Sequence, residues 1–505
     1  MHIYTAHVNL FPTVHHSRQY SEHFNMVADK IHDEVDVKIV ENELGTESGP
    51  YLDPKAEAKL TRKLDIFIIP ILGVLYLLSF LDRGNIGNAN IATPSLSKSL
   101  GLNAQQYSAC VSVVYATYVV FEPVWANLLK ILTPKVVLAG SAVCWGGITL
   151  GTAWAHNYHG LLAIRILLGA FEAGLFPCIS VYIFMNYRRE EVGRRMSYIF
   201  ACSAASGAFG GLIAYGLIHI ETGSLVGWQY LYVVEGILSL AVAPLTYFYL
   251  PNDMSTAWFL NAEQKEHARI RTEMNKAHYD PGEQFSWRQV RRGFTDWKTY
   301  ATGTIQFCAD VTLYGLTTFM PAIIKGMGYS NVHAQLLTVP VYFVGALSFL
   351  IIARFSDHYK LRSPFILLCF VFLIIGYGVL AGVKDAHGRY AGVFICALGL
   401  YGIPGLNVTW ISGNTAGHYK RTTSFGLNQL MGNSAGAAIG TIYLSTLAPY
   451  YYRSLYISIG LSGLGAIVTV ATALALRIIN RKRETLVMNG AADQPELGDA
   501  NPHFK

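Results

Sequence analysis

The chain has 505 residues, 52% of them hydrophobic and only 14% charged, with a net charge of +6. A soluble chain carries about 25% charged residues and divides into domains beyond roughly 300 residues. This composition therefore argues against a soluble protein, and the basic residues fall between apolar runs, with no nucleic-acid-type patch.

The seven cysteines all lie within apolar runs, as small buried hydrophobes and not as a disulfide framework. Residues 1–52 lack the apolar core of a signal peptide and read as a disordered cytoplasmic tail. Asp53-Pro54 then supplies an N-cap and a first-turn proline. Ala56 to Asp65 is amphipathic, with Lys55, Lys59, Arg62 and Lys63 available to headgroups, and is expected as a short interfacial helix leading into the first span.

A spanning helix needs roughly 20 apolar residues, and about twelve runs meet that criterion. They centre near Leu75, Tyr115, Trp145, Ala170, Phe209 and Ser239, and again near Leu316, Phe343, Phe372, Gly402, Ser434 and Gly465. The expected fold is an all-α polytopic membrane protein of 12 transmembrane helices in two six-helix halves, residues 53–250 and 298–480. Residues 251–297 form the central loop, with a surface helix capped by Asn261, and residues 481–505 a cytoplasmic tail.

Lys and Arg concentrate in alternate loops: Lys130 and Lys135, Arg188 to Arg195, Lys360 and Arg362, Lys420 and Arg421, and Arg477 to Arg483. The loops between are poor in both, which puts both termini in the cytoplasm. The halves repeat. Tyr187-Arg188-Arg189 precedes a glycine- and alanine-rich helix, as does Tyr419-Lys420-Arg421. Repeated halves of this kind carry their binding site between them at mid-membrane.

Against this apolar background the ionisable residues stand out. Asp82-Arg83 closes the first run and is expected to face a water-filled pathway, because intramembrane charge is costly. Arg165 and Glu172 lie seven residues apart on one helical face. Arg165 at this depth requires a partner, with Asp82, Glu172 or Glu122 as the candidates, and either a structural ion pair or a proton-carrying carboxylate fits. Glu122 and Glu235 are expected near helix ends, in capping or loop pairs, and Asp310 is left between pathway and interface. Arg354, Asp357 and Arg362 flank the eighth run and are expected to bridge helix ends and bias one conformation. Gly432, Gly436 and Gly440 recur every four residues inside a spanning run, a spacing for close helix packing. Gln306, Tyr314, Asn407, Asn428 and Asn433 supply polar groups in the second half, most of them as interhelical glue. No metal cluster, nucleophile motif or phosphate-binding loop occurs, so neither an enzyme nor a cofactor is expected.

Several stretches stand in order along the chain: Leu81-Asp82-Arg83-Gly84-Asn85-Ile86-Gly87-Asn88-Ala89, Arg165 with Gly169, Glu172-Ala173-Gly174 and Pro177, and Trp228-Gln229-Tyr230-Leu231. Met327-Gly328-Tyr329-Ser330, Thr338-Val339-Pro340, and Trp410 with Asn414 and Lys420-Arg421 complete the set. Together they resemble the major facilitator superfamily, and within it the anion:cation symporter branch and the fungal allantoate and nicotinate permease group. The resemblance implies a rocker-switch transporter of small organic anions, usually driven by protons. It assigns the substrate carboxylate to Arg83 and proton coupling to Asp82 and Glu172. Arg165 is the accompanying fourth-helix arginine, and Asn428 a further substrate contact.

The resulting expectation is a proton-coupled importer of a small carboxylate such as nicotinate or allantoate, in the plasma membrane. Its partners are that substrate, protons and the lipid bilayer. Export of an acidic metabolite by the same fold, and a transporter-like sensor, are the alternatives.

Overall fold

A computed structural model describes residues 54–128, 132–217, 220, 224–276, 286–448, 450–490, 499 and 501–502. The expected N-terminal tail lies outside the described residues. The first half consists of α1 (Pro54–Asn90), α2 (Ala104–Leu128), α3 (Pro134–Thr152), α4 (Tyr158–Glu172), α5 (Leu175–Asn186), α6 (Arg189–Leu217) and α7 (Gly227–Tyr249). The connecting segment carries α8 (Ala262–Lys276) and α9 (Trp287–Thr295). The second half consists of α10 (Trp297–Lys325), α11 (Asn331–Tyr359), α12 (Ser363–Gly382), α13 (Ala386–Leu400), α14 (Gly402–Gly413), α15 (His418–Ile442) and α16 (Tyr452–Met488).

With α4–α5 and α13–α14 each taken as one bent rod, 10 of these segments are long and apolar enough to cross a membrane. The 25-residue helices α2 and α15 complete twelve. Of the two, α15 is the more polar, for a physical reason. It packs on α2 across the two halves and on α10, so its faces meet protein more than lipid. Buried Ser424, Asn428, Gln429 and Asn433 on α15 are the result.

Both bent rods break at equivalent places. The fourth turns at Ala173–Gly174, where a Cβ on Gly174 would fall 2.6 Å from the Trp125 ring. The tenth turns at Tyr401, and Pro404 lines the bundle centre just beyond. Discontinuous helices of this kind are tolerated in a membrane where the irregular backbone lies inside the protein.

The halves meet along α1 and α10, α2 and α15, and α6 and α11. At one end this contact is backbone-close. A Cβ on Gly87 would lie 2.1 Å from the Thr318 carbonyl oxygen, and one on Gly440 2.4 Å from that of Ser108. Gln335 Nε2 and Asn331 Nδ2 reach across to Asn88 O and Thr93 Oγ1. Towards the opposite, basic end the contact loosens. A Cβ on Gly193 would stand 3.8 Å from Thr409, and the rings of Phe176 and Phe425 stack with centroids 6.1 Å apart.

The connecting segment sits at the basic end, divided between the halves. Asn261 caps α8 through Gln264 N at 2.8 Å. Arg271 of α8 is ion-paired to Glu191 and donates to Thr61 Oγ1 at 2.5 Å, while Lys63 donates to Gln264. Burial pulls the Arg271 guanidinium below its usual value, against the opposing effect of Glu191. By contrast, α9 packs on α15, where Gln289 Oε1 accepts from Tyr419 N at 3.1 Å.

Two expectations need correction here. The stretch 56–65 is not a separate interfacial helix. It is the first part of the 37-residue α1, because nothing between Lys63 and Ile66 breaks the backbone. Its apolar residues Leu60 and Leu64 are fully buried under the connecting segment instead of lying in lipid headgroups. Likewise α16 continues through Met488, past the point where the tail was expected to begin.

Candidate functional site

A cavity sits between the halves, closed in this conformation to about 30 Å³. That holds a water or two and not a ring-sized solute. From α1 it is lined by Tyr76, Phe80 and Arg83, residues that recur at the spacing of one helical face. The guanidinium of Arg83 lies 4.5 Å from the Tyr118 ring centroid and 5.1 Å from that of Phe80. An aromatic face attracts a cation electrostatically, more so when both are desolvated.

Arg83 is not free. Its Nε donates to Glu172 Oε1 at 2.7 Å, and Ser79 Oγ donates to the same oxygen. Glu172 is fully buried at the end of α4, and its Oε2 has no hydrogen-bond partner among the described residues. The pair thus has one oxygen committed twice and one idle.

Asp82 departs from expectation. It does not line the cavity with Arg83. Successive helical residues point about 100° apart, so the two neighbours on α1 face different surroundings. Asp82 turns into the first half, where Ser239 Oγ of α7 donates to its Oδ2 at 3.5 Å and Thr149 of α3 stands nearby. The Glu235 carboxyl of α7 is its neighbour. Among the described residues no other side chain donates to either Glu235 oxygen or to Asp82 Oδ1 and no salt bridge reaches either residue, so the two carboxyls can bond only to each other, through a shared proton.

Glu235 is therefore not at a helix end in a loop pair, as expected, but buried inside the first half. Nor does Glu122 cap a helix. It accepts from Asn433 Nδ2 at 3.3 Å, across the α2–α15 seam, and Asn433 Oδ1 accepts from the Tyr314 hydroxyl at 3.1 Å.

Arg165 takes none of the three carboxylates as an ion-pair partner. Its Nε donates to the Cys110 carbonyl at 3.1 Å, and its buried Nη1 has no hydrogen-bond partner among the described residues. It does not line the cavity. Asn428 also lies off the lining, fully buried with neither amide atom hydrogen-bonded among the described residues, while Gln429 and Asn433 of the same helix face the cavity. Asp357 pairs with Arg362 at 2.6 Å, and Arg362 donates to Ser356, which ties the end of α11 to the start of α12. Arg354 is exposed. Among the described residues no group of three or more His, Cys, Asp or Glu converges as a metal site would require.

The second half supplies the opposite wall. Asp310 and Gln306 of α10 lie one turn apart and face the cavity. The glycine series of α15 runs from this wall along the seam with α2. Gly432 meets Gln306 and Asp310, Gly436 meets the Tyr115 ring, and Gly440 meets Ser108 and Ser112.

A profile of the Major Facilitator Superfamily matches residues 72–441. Over 456 residues the chain is 42% identical to the high-affinity nicotinic acid transporter of Saccharomyces cerevisiae, covering 89% of this chain and 84% of that one. The chain belongs to the major facilitator superfamily. Within it, the chain groups with fungal permeases. An uncharacterized transporter of Schizosaccharomyces pombe is 39% identical, with 90% of this chain and 91% of that one covered. The fold also matches the xylose transporter XylE from E. coli in a partially occluded inward-open conformation. That match has a TM-score of 0.64 at 14% identity and covers 80% of this chain and 97% of the other. This facilitator is thus a multi-pass membrane transporter of small molecules and not an enzyme.

Sequence reading of this facilitator missed the aromatic lining of Arg83. Tyr76 and Phe80 precede it by seven and three residues, a helical stripe that was legible beside the charge pair. It also missed the Asp82–Glu235 proximity, for which a single sequence carries no signal, because the two come together only through the packing of α1 on α7.

Proposed function

We propose that this facilitator imports a small organic carboxylate, nicotinate foremost, by proton-coupled alternating access in the plasma membrane with both termini in the cytoplasm. The observation that carries the reading is that Arg83, the cation lining the central cavity from α1, is held by Glu172. A proton on Glu172 removes its charge and frees the guanidinium for an incoming carboxylate. Loss of that proton on the other side restores the ion pair and displaces the substrate. Ligand and proton thereby shift one conformational equilibrium together.

Arg83 is the direct substrate contact in this scheme, with Arg165 and Asn428 supporting the helices behind the lining. Asp82 carries the second proton site, with Glu235 as its neighbour. The Asp357–Arg362 pair stiffens a turn at the basic end. Support for sidedness comes from the basic loops at that end. With that end in the cytoplasm, the backbone-close contacts seal the cavity from the outside. Support for the substrate class comes from the 42% identical nicotinic acid transporter.

The test is uptake of labelled nicotinate in a yeast lacking its own nicotinate transporter. The expected result is saturable uptake, abolished by an uncoupler and lost in Arg83→Ala. Uptake indifferent to the uncoupler sinks proton coupling, and unchanged affinity in Arg83→Ala sinks the role of Arg83.

A further inference from the structure

The transport reading uses the α1 wall of the cavity and leaves the α10 wall without a role. That wall carries a buried carboxyl, Asp310, 4% exposed. A carboxyl in an anion site is unfavourable unless something there answers it, since like charges in a desolvated space repel strongly. Among the described residues no cation pairs with Asp310. Gln306 Nε2 donates to both its oxygens, at 3.3 and 3.0 Å.

The orientation of Gln306 is itself set. Its Oε1 accepts from Asn407 Nδ2 at 2.9 Å, and the same nitrogen donates to the Thr302 carbonyl at 2.9 Å. The Gln306 amino group therefore points at Asp310. Gly432 closes in from α15, where a Cβ would fall 2.5 Å from Asp310 Oδ2 and 2.4 Å from Gln306 Cγ. Asp310 is thus positioned by a fixed amide chain and a bare backbone, on a wall facing the cavity.

Between the two polar walls the lining is aromatic. Tyr76 and Tyr314 each lie within electrostatic reach of both Arg83 and Asp310. Phe80 and Tyr118 flank the guanidinium. A solute that suits this arrangement is flat, carries a carboxylate at one end, and presents a nitrogen at the other that can share a proton with a carboxyl. Whichever of the two holds the proton, one N–H···O or O–H···N bond forms.

We infer that Asp310 is the specificity-determining residue that reads the ring nitrogen of a heteroaromatic carboxylate whose carboxylate is held by Arg83. The inference rests on the carboxylate-transport reading above. It adds what that reading lacks, a reason to prefer a pyridine over a benzene ring. A site built around a hydrogen bond disfavours the analogue that cannot make it, by about tenfold or more for one bond.

The experiment is competition against labelled nicotinate uptake by unlabelled nicotinate and by benzoate, its isostere with C–H in place of the ring nitrogen. The wild-type chain and Asp310→Leu, which is close in size and can neither donate nor accept, are compared at equal surface expression. The wild type is expected to prefer nicotinate about tenfold or more, and Asp310→Leu to lose most of that preference by weakening nicotinate while benzoate holds its affinity. Equal competition by the two acids in the wild type overturns the inference, and that measurement needs no variant to fold. A preference that survives in Asp310→Leu, or an equal weakening of both acids, also overturns it. Those results leave carboxylate transport standing. Absence of nicotinate uptake, with no competition by either acid, sinks the transport reading and the inference with it.

Discussion

Arg83 of α1 and Glu172 at the end of α4 meet at 2.7 Å, with Glu172 Oε2 buried and without a hydrogen-bond partner among the described residues. Breaking a buried pair by removing one partner costs about 3–5 kcal/mol, because the other charge is left uncompensated. Glu172→Gln is milder. Its amide oxygen still accepts from Arg83 and Ser79, but it can no longer change charge. Exchange of labelled for unlabelled substrate across a vesicle membrane should therefore persist in Glu172→Gln, while uphill uptake driven by a proton gradient should be lost. Gradient-driven uptake at the wild-type rate would remove Glu172 from the coupling scheme.

Glu235 offers a second probe of coupling, away from the substrate. It lies off the cavity, where among the described residues its carboxyl meets only that of Asp82. Glu235→Gln keeps the size of the side chain and removes its titration. The apparent affinity for substrate should be retained and the pH dependence of uptake flattened. A pH profile that superimposes on the wild type would assign Glu235 to packing alone.

The seal at the end away from the basic loops depends on two glycines. A methyl on Gly440 would lie 2.3 Å from Ser112 Oγ and 2.4 Å from the Ser108 carbonyl, and one on Gly87 2.1 Å from the Thr318 carbonyl. Backbone cannot yield as a flexible side chain can, so Gly440→Ala should push α2 and α15 apart at about 1–3 kcal/mol. The population should shift towards the state open at that end. Labelling of a cysteine introduced near Ser108 by a membrane-impermeant thiol reagent should speed up in the variant. Unchanged labelling would mean that the seal relaxes around a methyl group.

The chain end anchors at the basic face. Lys420 Nζ meets Asp499 Oδ2 and Asp296 Oδ2, each at 2.7 Å, and Lys298 pairs with Asp499 as well. Burial pushes the Asp499 carboxyl up, but the Lys298 and Lys420 ammonium groups outweigh it and hold the group below its usual value. A carboxyl lowered on folding adds stability above its unfolded value, lost only as pH falls through the folded one. The anchor should therefore be intact between about pH 5 and 8. Asp499→Asn should loosen it throughout that range, seen as faster amide hydrogen exchange at Asp499 and Asn501. Equal exchange in wild type and variant would show that the ion pairs contribute nothing to the anchor.

The architecture was largely legible because it rests on local quantities. Apolar run length reports a span regardless of what surrounds it, and the polar inclusions in α15 marked a helix facing protein. The close-packing glycines of α15 were likewise visible in their spacing. The site was legible only in part. Arg83 was identifiable as costly intramembrane charge, but its neighbour Asp82 was wrongly given the same surroundings. Arg165 was assigned a carboxylate among its candidates and instead donates to the Cys110 carbonyl. Glu122 and Glu235 read from the sequence as helix-end groups, because position along a run does not say which way a side chain points.

By itself the sequence determined that the protein lives in a membrane, how many helices cross it, and which few side chains carry charge where charge is expensive. Those follow from composition and period along one strand of chain. Only the tertiary structure decided that Arg83 faces the cavity and takes Glu172, that Asp82 turns away towards Glu235, and that Asp310 stands on the far wall. Two neighbours on a helix diverge by about 100°, and each meets a partner from a helix distant in sequence. That choice is made by how the helices pack and is not written in the spacing of either residue.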